Sequence, residues 1–113
     1  MSVKLSTRQV GDVTVVDVAG RITLGEGSSA LRDTLRDMVK NGQKKILLNL
    51  GEVSYIDSSG IGELVSGFTS VTNQGGQLKL LNLTKRVKDL LQITKLYTVF
   101  DVHESEATAI RSF

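Results

Sequence analysis

Apolar residues in this chain recur with two spacings that replace one another along its length. Residues 3–10 and 13–19 are rich in β-branched side chains and are joined by Gly11-Asp12, which predicts an antiparallel hairpin. In the second run Val13, Val15, Val16, Val18 and Ala19 are apolar on both parities, so that strand is expected to be central and buried on both faces. The first is interrupted by Lys4, Ser6 and Arg8 and suits a sheet edge. Residues 20–27 form a loop containing Gly20, Gly25 and Gly27. From a cap at Ser28 or Ser29, a helix is predicted to run to the Asn41-Gly42 stop. Leu31, Leu35, Met38 and Val39 form its inner stripe, with Arg32, Asp33, Arg36, Asp37 and Lys40 outside. Residues 44–50 read as a short buried strand.

The stretch from Val53 to Gly62 is polar and glycine-bearing, and it separates that strand from a second helical stripe. Ile61, Leu64, Val65, Phe68 and Val71 lie on one face of a helix ending near Asn73. Asp57, Ser58 and Ser59 therefore stand where a strand hands over to a helix. Backbone N–H groups there lack internal partners and the helix dipole is positive, so these residues can cap the helix and an added anion is tolerated. Gly60, Gly62 and Gly67 carry a helix-propensity cost of up to ~1 kcal/mol each. Such glycines either admit another surface or let the helix pack tightly on the sheet. The remaining pattern predicts a strand at 77–83, a helix capped by Thr84 and ending near Lys95, a strand at 97–102 and a helix at 104–111 with Ala107 and Ile110 inside. The expected architecture is α/β, a single domain with a mixed, mostly parallel sheet opened by a hairpin and covered by about four helices.

Composition narrows the function more than it identifies one. The chain has 113 residues, no cysteine, 40% apolar residues and only 4% aromatics, which describes an aliphatic core without disulfide or thiol chemistry. No signal-peptide block opens it and no apolar run is long enough for a membrane span, so a cytoplasmic protein is expected. Fourteen basic against twelve acidic residues, a formal charge of +2, do not call for a polyanion, and the basic pairs lack interleaved aromatics; no direct nucleic-acid contact is expected. Serine hydrolysis lacks a base near Ser58 and a Gly-x-Ser-x-Gly elbow. The sole histidine, His103, is read as an ordinary surface or half-buried residue with no partner. Ligand clusters for a metal are missing, and Gly60-Ile61-Gly62 fits neither a dinucleotide fingerprint nor a P-loop. No cofactor and no enzymatic activity are expected. Asp33 and Asp37 beside Arg32 and Arg36 read as solvated ion pairs.

The segment from Asn49 through Val53, Ser54, Tyr55, Ile56, Asp57, Ser58, Ser59, Gly60, Ile61 and Gly62 resembles the signature of the STAS domain family. Gly20-Arg21-Ile22 and the closing pattern Val87, Leu90, Leu91, Ile93, Thr94, Leu96, Val99, Phe100 extend the resemblance over most of the chain. Small free-standing members are bacterial anti-sigma factor antagonists, in which the first serine of the Asp-Ser-Ser/Thr-Gly turn is phosphorylated by a partner kinase. The resemblance places that role on Ser58. It implies a protein that binds an anti-sigma factor acting also as a serine kinase, releases a sigma factor, and is restored by a serine phosphatase. Asp57, Ser58, Ser59, Gly60, Ile61, Gly62 and Thr23 would form the switch turn, with Gly60 permitting close approach of the kinase. Many phosphorylated members have acidic residues where this chain has Thr23 and Asn49, the latter at the end of the strand before the signature. That changes the charge expected around the phosphosite. Two alternatives remain: a constitutive interaction module in a transporter or signalling assembly, and a small anion- or nucleotide-binding domain using the same helix start.

Overall fold

The computed structural model describes residues 3–113. Its elements are β1 (Val3–Val10), β2 (Val13–Ile22), α1 (Glu26–Lys40), β3 (Lys45–Ile56), α2 (Ser58–Asn73), β4 (Gln77–Leu81), α3 (Lys85–Ile93), β5 (Val102–His103) and α4 (Glu106–Arg111). The strands form one sheet in the order β1-β2-β3-β4-β5. β1 is antiparallel to β2 and lies at an edge, whereas β2, β3, β4 and β5 are mutually parallel. This is the expected mixed α/β arrangement with four helices.

Each strand–helix–strand unit returns its helix to the same side of the sheet, as right-handed crossovers between neighbouring parallel strands require. On that side Val16, Val18, Ile46, Leu48 and Leu80 meet Leu31 and Leu35 of α1, Leu64 and Val71 of α2, and Val87 and Leu91 of α3. The opposite face carries a smaller cluster of Val13, Val15, Leu47 and Leu81 under Ala109 of α4. The two parities of β2 thus serve two cores. Among the described residues no helix is long and apolar enough to cross a membrane.

β3 is longer than its sequence suggests. It runs on through Val53 to Ile56, so the first half of the stretch expected to be a turn is strand, and Asn49 lies mid-strand rather than at its end. β4 pairs only with residues 45–49 of β3, and beyond that β3 keeps β2 as its ladder partner out to Ile22↔Ile56. β2 accordingly extends past the predicted end at Ala19. Two register shifts place an extra β3 residue between Asp17/Ala19 and between Gly20/Arg21 of β2. Such bulges raise the local twist and re-aim side chains. β1 stays paired with β2 as far as Val3↔Gly20, so only Arg21–Ile22 and Tyr55–Ile56 form a two-stranded end, which carries the loops after β2 and β3.

Other boundaries moved for local reasons. α1 begins at Glu26 after Gly25, whose φ of 101° suits glycine, and no side chain caps it. Ser28, expected as a cap, is buried and its backbone N–H donates to Thr23 O at 2.9 Å. Residues 97–101 are not strand. Lys95 adopts φ 63°, and the N–H groups of Leu96 and Tyr97 fold back onto Leu91 O. This turn delivers Phe100 to an edge-on contact with Phe68 at 5.3 Å between ring centres. In α4 the inward residue is Ala109, while Ala107 is exposed, because the helix starts only after the Ser105 cap.

Candidate functional site

The far ends of β2 and β3 bring two loops together. Asp57 caps α2: one carboxylate oxygen accepts from Gly60 N–H at 3.1 Å, and the other accepts from Leu24 N–H at 3.0 Å in the loop after β2. Asp57 N–H donates to Ile22 O at 3.3 Å, which ties the same loops by backbone. Partial burial pushes the Asp57 carboxyl up, but the N–H groups of Leu24, Gly60 and Ser59 outweigh it and hold the group below the usual carboxylate range. Thr23 adjoins this clasp, half-buried, with its carbonyl engaged by Ser28.

Ser58 is the first residue of α2 and is exposed; among the described residues its hydroxyl makes no hydrogen bond. Ser59 is half-buried and Gly62 exposed. Gly60 and Ile61 face inward. A Cβ on Gly60 would stand 2.6 Å from Ile22 O and 2.7 Å from Ile56 Cγ1. The missing side chain of Gly60 thus makes room for the protein's own β2 and β3, and Gly67 likewise makes room for Leu35. Of Gly60, Gly62 and Gly67 in α2, Gly62 alone has open space where a side chain would stand.

Beside Ser58 lies a groove of about 590 Å³ between the β3 end and α3, lined by Tyr55, Ser58, Arg86, Asp89, Leu90 and Ile93 among others. The guanidinium carbons of Arg21 and Arg86 lie 4.8 and 4.5 Å from the Tyr55 ring centre. Both are within the range where a cation is attracted by an aromatic face. Lys85 is paired with Asp89 at 2.7 Å. Among the described residues Leu24 and Ile93 are the most exposed large apolar side chains, at 79% and 76%. Sequence reasoning did not single out Leu24, Tyr55, Arg86 or Ile93 for the site. The available signal was that Leu24 lies in a glycine-rich loop and Ile93 falls off the Val87, Leu90, Leu91 stripe.

Three expectations need correction. Asn49 is separated from Asp57 by roughly 20–25 Å of extended chain. It donates to Asp17 Oδ1 at 2.8 Å and accepts from Gly51 N–H at 3.2 Å. Its neutrality therefore has no direct bearing on the charge at Ser58, unlike that of Thr23. His103 does have partners: its Nε2 lies 3.1 Å from Asp101 Oδ1 and 3.4 Å from Ser112 Oγ. Both contacts use one nitrogen, whereas a Ser-His-Asp relay needs two. Arg32 contacts Asp33 at 3.7 Å and also Glu63 on α2, so the ion pairs of α1 are not confined to that helix. Among the described residues there is no cluster suited to a metal ion.

Residues 4–109 match the family model described as the STAS domain. The chain is 34% identical over 102 residues to an anti-sigma-B factor antagonist of Bacillus subtilis, covering 90% of this chain and 92% of that protein. Its fold is similar to a crystal structure of a putative anti-sigma factor antagonist from Thermotoga maritima, with TM-score 0.89 and 23% identity over 96% of this chain and 92% of the other. It is also similar to the Bacillus cell fate determinant SpoIIAA solved in its phosphorylated form, with TM-score 0.76 and 20% identity over 96% and 98% of the two chains.

Proposed function

Because this chain belongs to the STAS domain family, we propose that it acts as an anti-sigma factor antagonist switched by phosphorylation at Ser58. Unmodified protein binds an anti-sigma factor that is also a serine kinase and thereby releases a sigma factor; a serine phosphatase restores the phosphorylated form to binding. The observation that carries this reading is the exposed Ser58 hydroxyl, free of hydrogen bonds among the described residues, at the start of α2. A likeness to a phosphorylated SpoIIAA supports it, since a protein of this fold exists in that state.

The physical effect is local. A phosphoserine adds about −1.5 to −2 charge beside the Asp57 carboxylate. Exposed Leu24, bound to Asp57, and Ile93, in the groove beside Ser58, offer apolar contact nearby, and a strongly hydrated dianion on Ser58 opposes the desolvation that a partner requires. Asp57 holds the loops together, Ser59 continues the helix start, and Gly60 and Ile61 fix the turn from beneath. In this reading ATP, magnesium and the catalytic base are supplied by the kinase.

The test is labelling with candidate kinases, followed by binding assays with the anti-sigma factor that responds. A single phosphate is expected on Ser58, with Ser58→Ala binding as wild type and Ser58→Asp binding weakly. Label persisting on Ser58→Ala, or equal affinities of the Asp and Ala variants, overturns the switch. The second outcome favours a constitutive module, for which the neutral Thr23 beside the clasp is the supporting observation.

A further inference from the structure

A separate groove runs between α1 and α2, away from the switch turn. We propose that it docks an acidic segment of a partner protein, through a contact that does not depend on Ser58. Its volume is about 220 Å³, and it is lined by Leu35 and Gly67, where the missing side chain of Gly67 makes room for Leu35 Cδ1. One wall is a row of cations, Arg32, Arg36 and Lys40, four residues apart on α1; the other carries Glu63, Ser66 and Ser70 of α2.

Charge within the groove is unbalanced, with three cations facing one carboxylate. Arg32 approaches Glu63 and Asp33 only at 3.7 Å, beyond hydrogen-bonding distance, and its buried Nε has no acceptor. Among the described residues Arg36 and Lys40 form no salt bridge. Asp37 shares their helix but does not line the groove.

The dimensions select the occupant. Arg32 to Lys40 spans about 12 Å of helix axis, in steps of about 6 Å. A single phosphate covers one step, whereas carboxylates one helical turn apart match all three. Leu35 and Val39 give such a segment apolar surface between its acids. No aromatic side chain lines the groove for base stacking, which disfavours single-stranded nucleic acid. Ser70 is twelve residues along α2 from Ser58, about 18 Å, so a phosphate at the turn leaves the far end of the groove unobstructed.

The probe is a fluorescein-labelled helical peptide with Glu at i, i+4 and i+8 and Leu between them, compared with its Gln analogue by anisotropy and by ¹⁵N–¹H shift mapping. The Glu peptide is expected to bind, with shifts concentrated at Ser66, Gly67 and Ser70. The pair Arg36→Glu/Lys40→Glu, and independently Ser70→Glu on the other wall, is expected to weaken binding by about tenfold or more. Lys4→Glu/Arg111→Glu, on exposed positions of β1 and α4, leaves it within about twofold. No binding, shifts that map elsewhere, or equal loss in all variants overturns the proposal. Groove-dependent capture on phosphatidylserine vesicles without peptide binding also overturns it and assigns the face to a lipid surface. None of these readouts requires Ser58 to be phosphorylated, so failure here is distinct from failure of the switch.

Discussion

Asp57 holds the backbone N–H of Leu24 at 3.0 Å across a sequence separation of 33, while its second oxygen caps α2. One side chain thus fixes both loops of the candidate site. Asp57→Ala is expected to destabilise the protein by about 1–2 kcal/mol, the range for losing an N-cap. Asp57→Asn costs less, because its remaining oxygen serves the cap while its amide cannot accept from Leu24. The folded-state carboxyl is held low, so its contribution is present above the unfolded carboxylate pKa and fades as pH falls through the folded value. Denaturant unfolding at neutral and acid pH and amide exchange at Leu24 check this; exchange at Leu24 unchanged in Asp57→Ala would contradict the clasp.

Gly60 and Gly62 make a matched pair two residues apart. Gly60→Ala drives a methyl against Ile22 O and Ile56 and is expected to cost about 1–3 kcal/mol. Gly62→Ala enters open space in a helix and should be neutral or stabilising by up to ~1 kcal/mol. Melting curves of the two variants decide; equal effects would mean that the inward packing of Gly60 is misplaced.

Lys79 is buried on β4, yet its ammonium is well partnered. It donates to Ser112 O and Oγ at 2.8 Å, pairs with Asp101 at 3.0 Å and lies 4.9 Å from the Phe113 ring centre. Lys79→Met keeps the aliphatic stem but strands those acceptors, and is expected to cost about 1–3 kcal/mol. The loss should fall on α4, read as faster exchange at Ala109. Undisturbed α4 protection would show that Lys79 does not anchor this end of the chain.

Arg8 joins three elements by binding Asp17 on β2 and Glu106 on α4. Its guanidinium hydrogen bonds hold both carboxyls below their ordinary values against partial desolvation. Both groups therefore add stability above their unfolded pKa values that disappears as pH drops through the lower folded ones. Acidification below about pH 4 should loosen α4 before the main sheet, and Arg8→Met should flatten that dependence. Carbon-detected titration of Glu106 at an ordinary carboxylate pKa would refute the coupling.

Much of the fold was legible because buried strands and amphipathic helices declare themselves by spacing. The dual parity of Val13 to Val18 foretold a central strand with cores on both sides, and Asp57-Ser58 at a strand-to-helix junction foretold the cap. The β3 extension did not show. Gly51, Glu52, Ser54 and Tyr55 have the composition of a turn because that segment lacks β4 beside it and is half exposed, while the bulges break the alternation that marks a strand. Tyr97, Val99 and Phe100 resembled a strand because nothing local reveals that Phe100 is needed under α2. Arg21 and Arg86 meet at Tyr55 only once α3 packs beside β3, and no short-range pattern encodes that meeting.

The outgrowth formed by the ends of β2 and β3 has one further consequence. Since both loops are mounted on the same short ribbon and bound to each other, chemistry at its tip changes the molecule's outward face without any message having to cross the interior. Recognition and scaffold can then vary separately: new surface residues at the tip alter which neighbour is met, while the aliphatic layers behind need not be rebuilt.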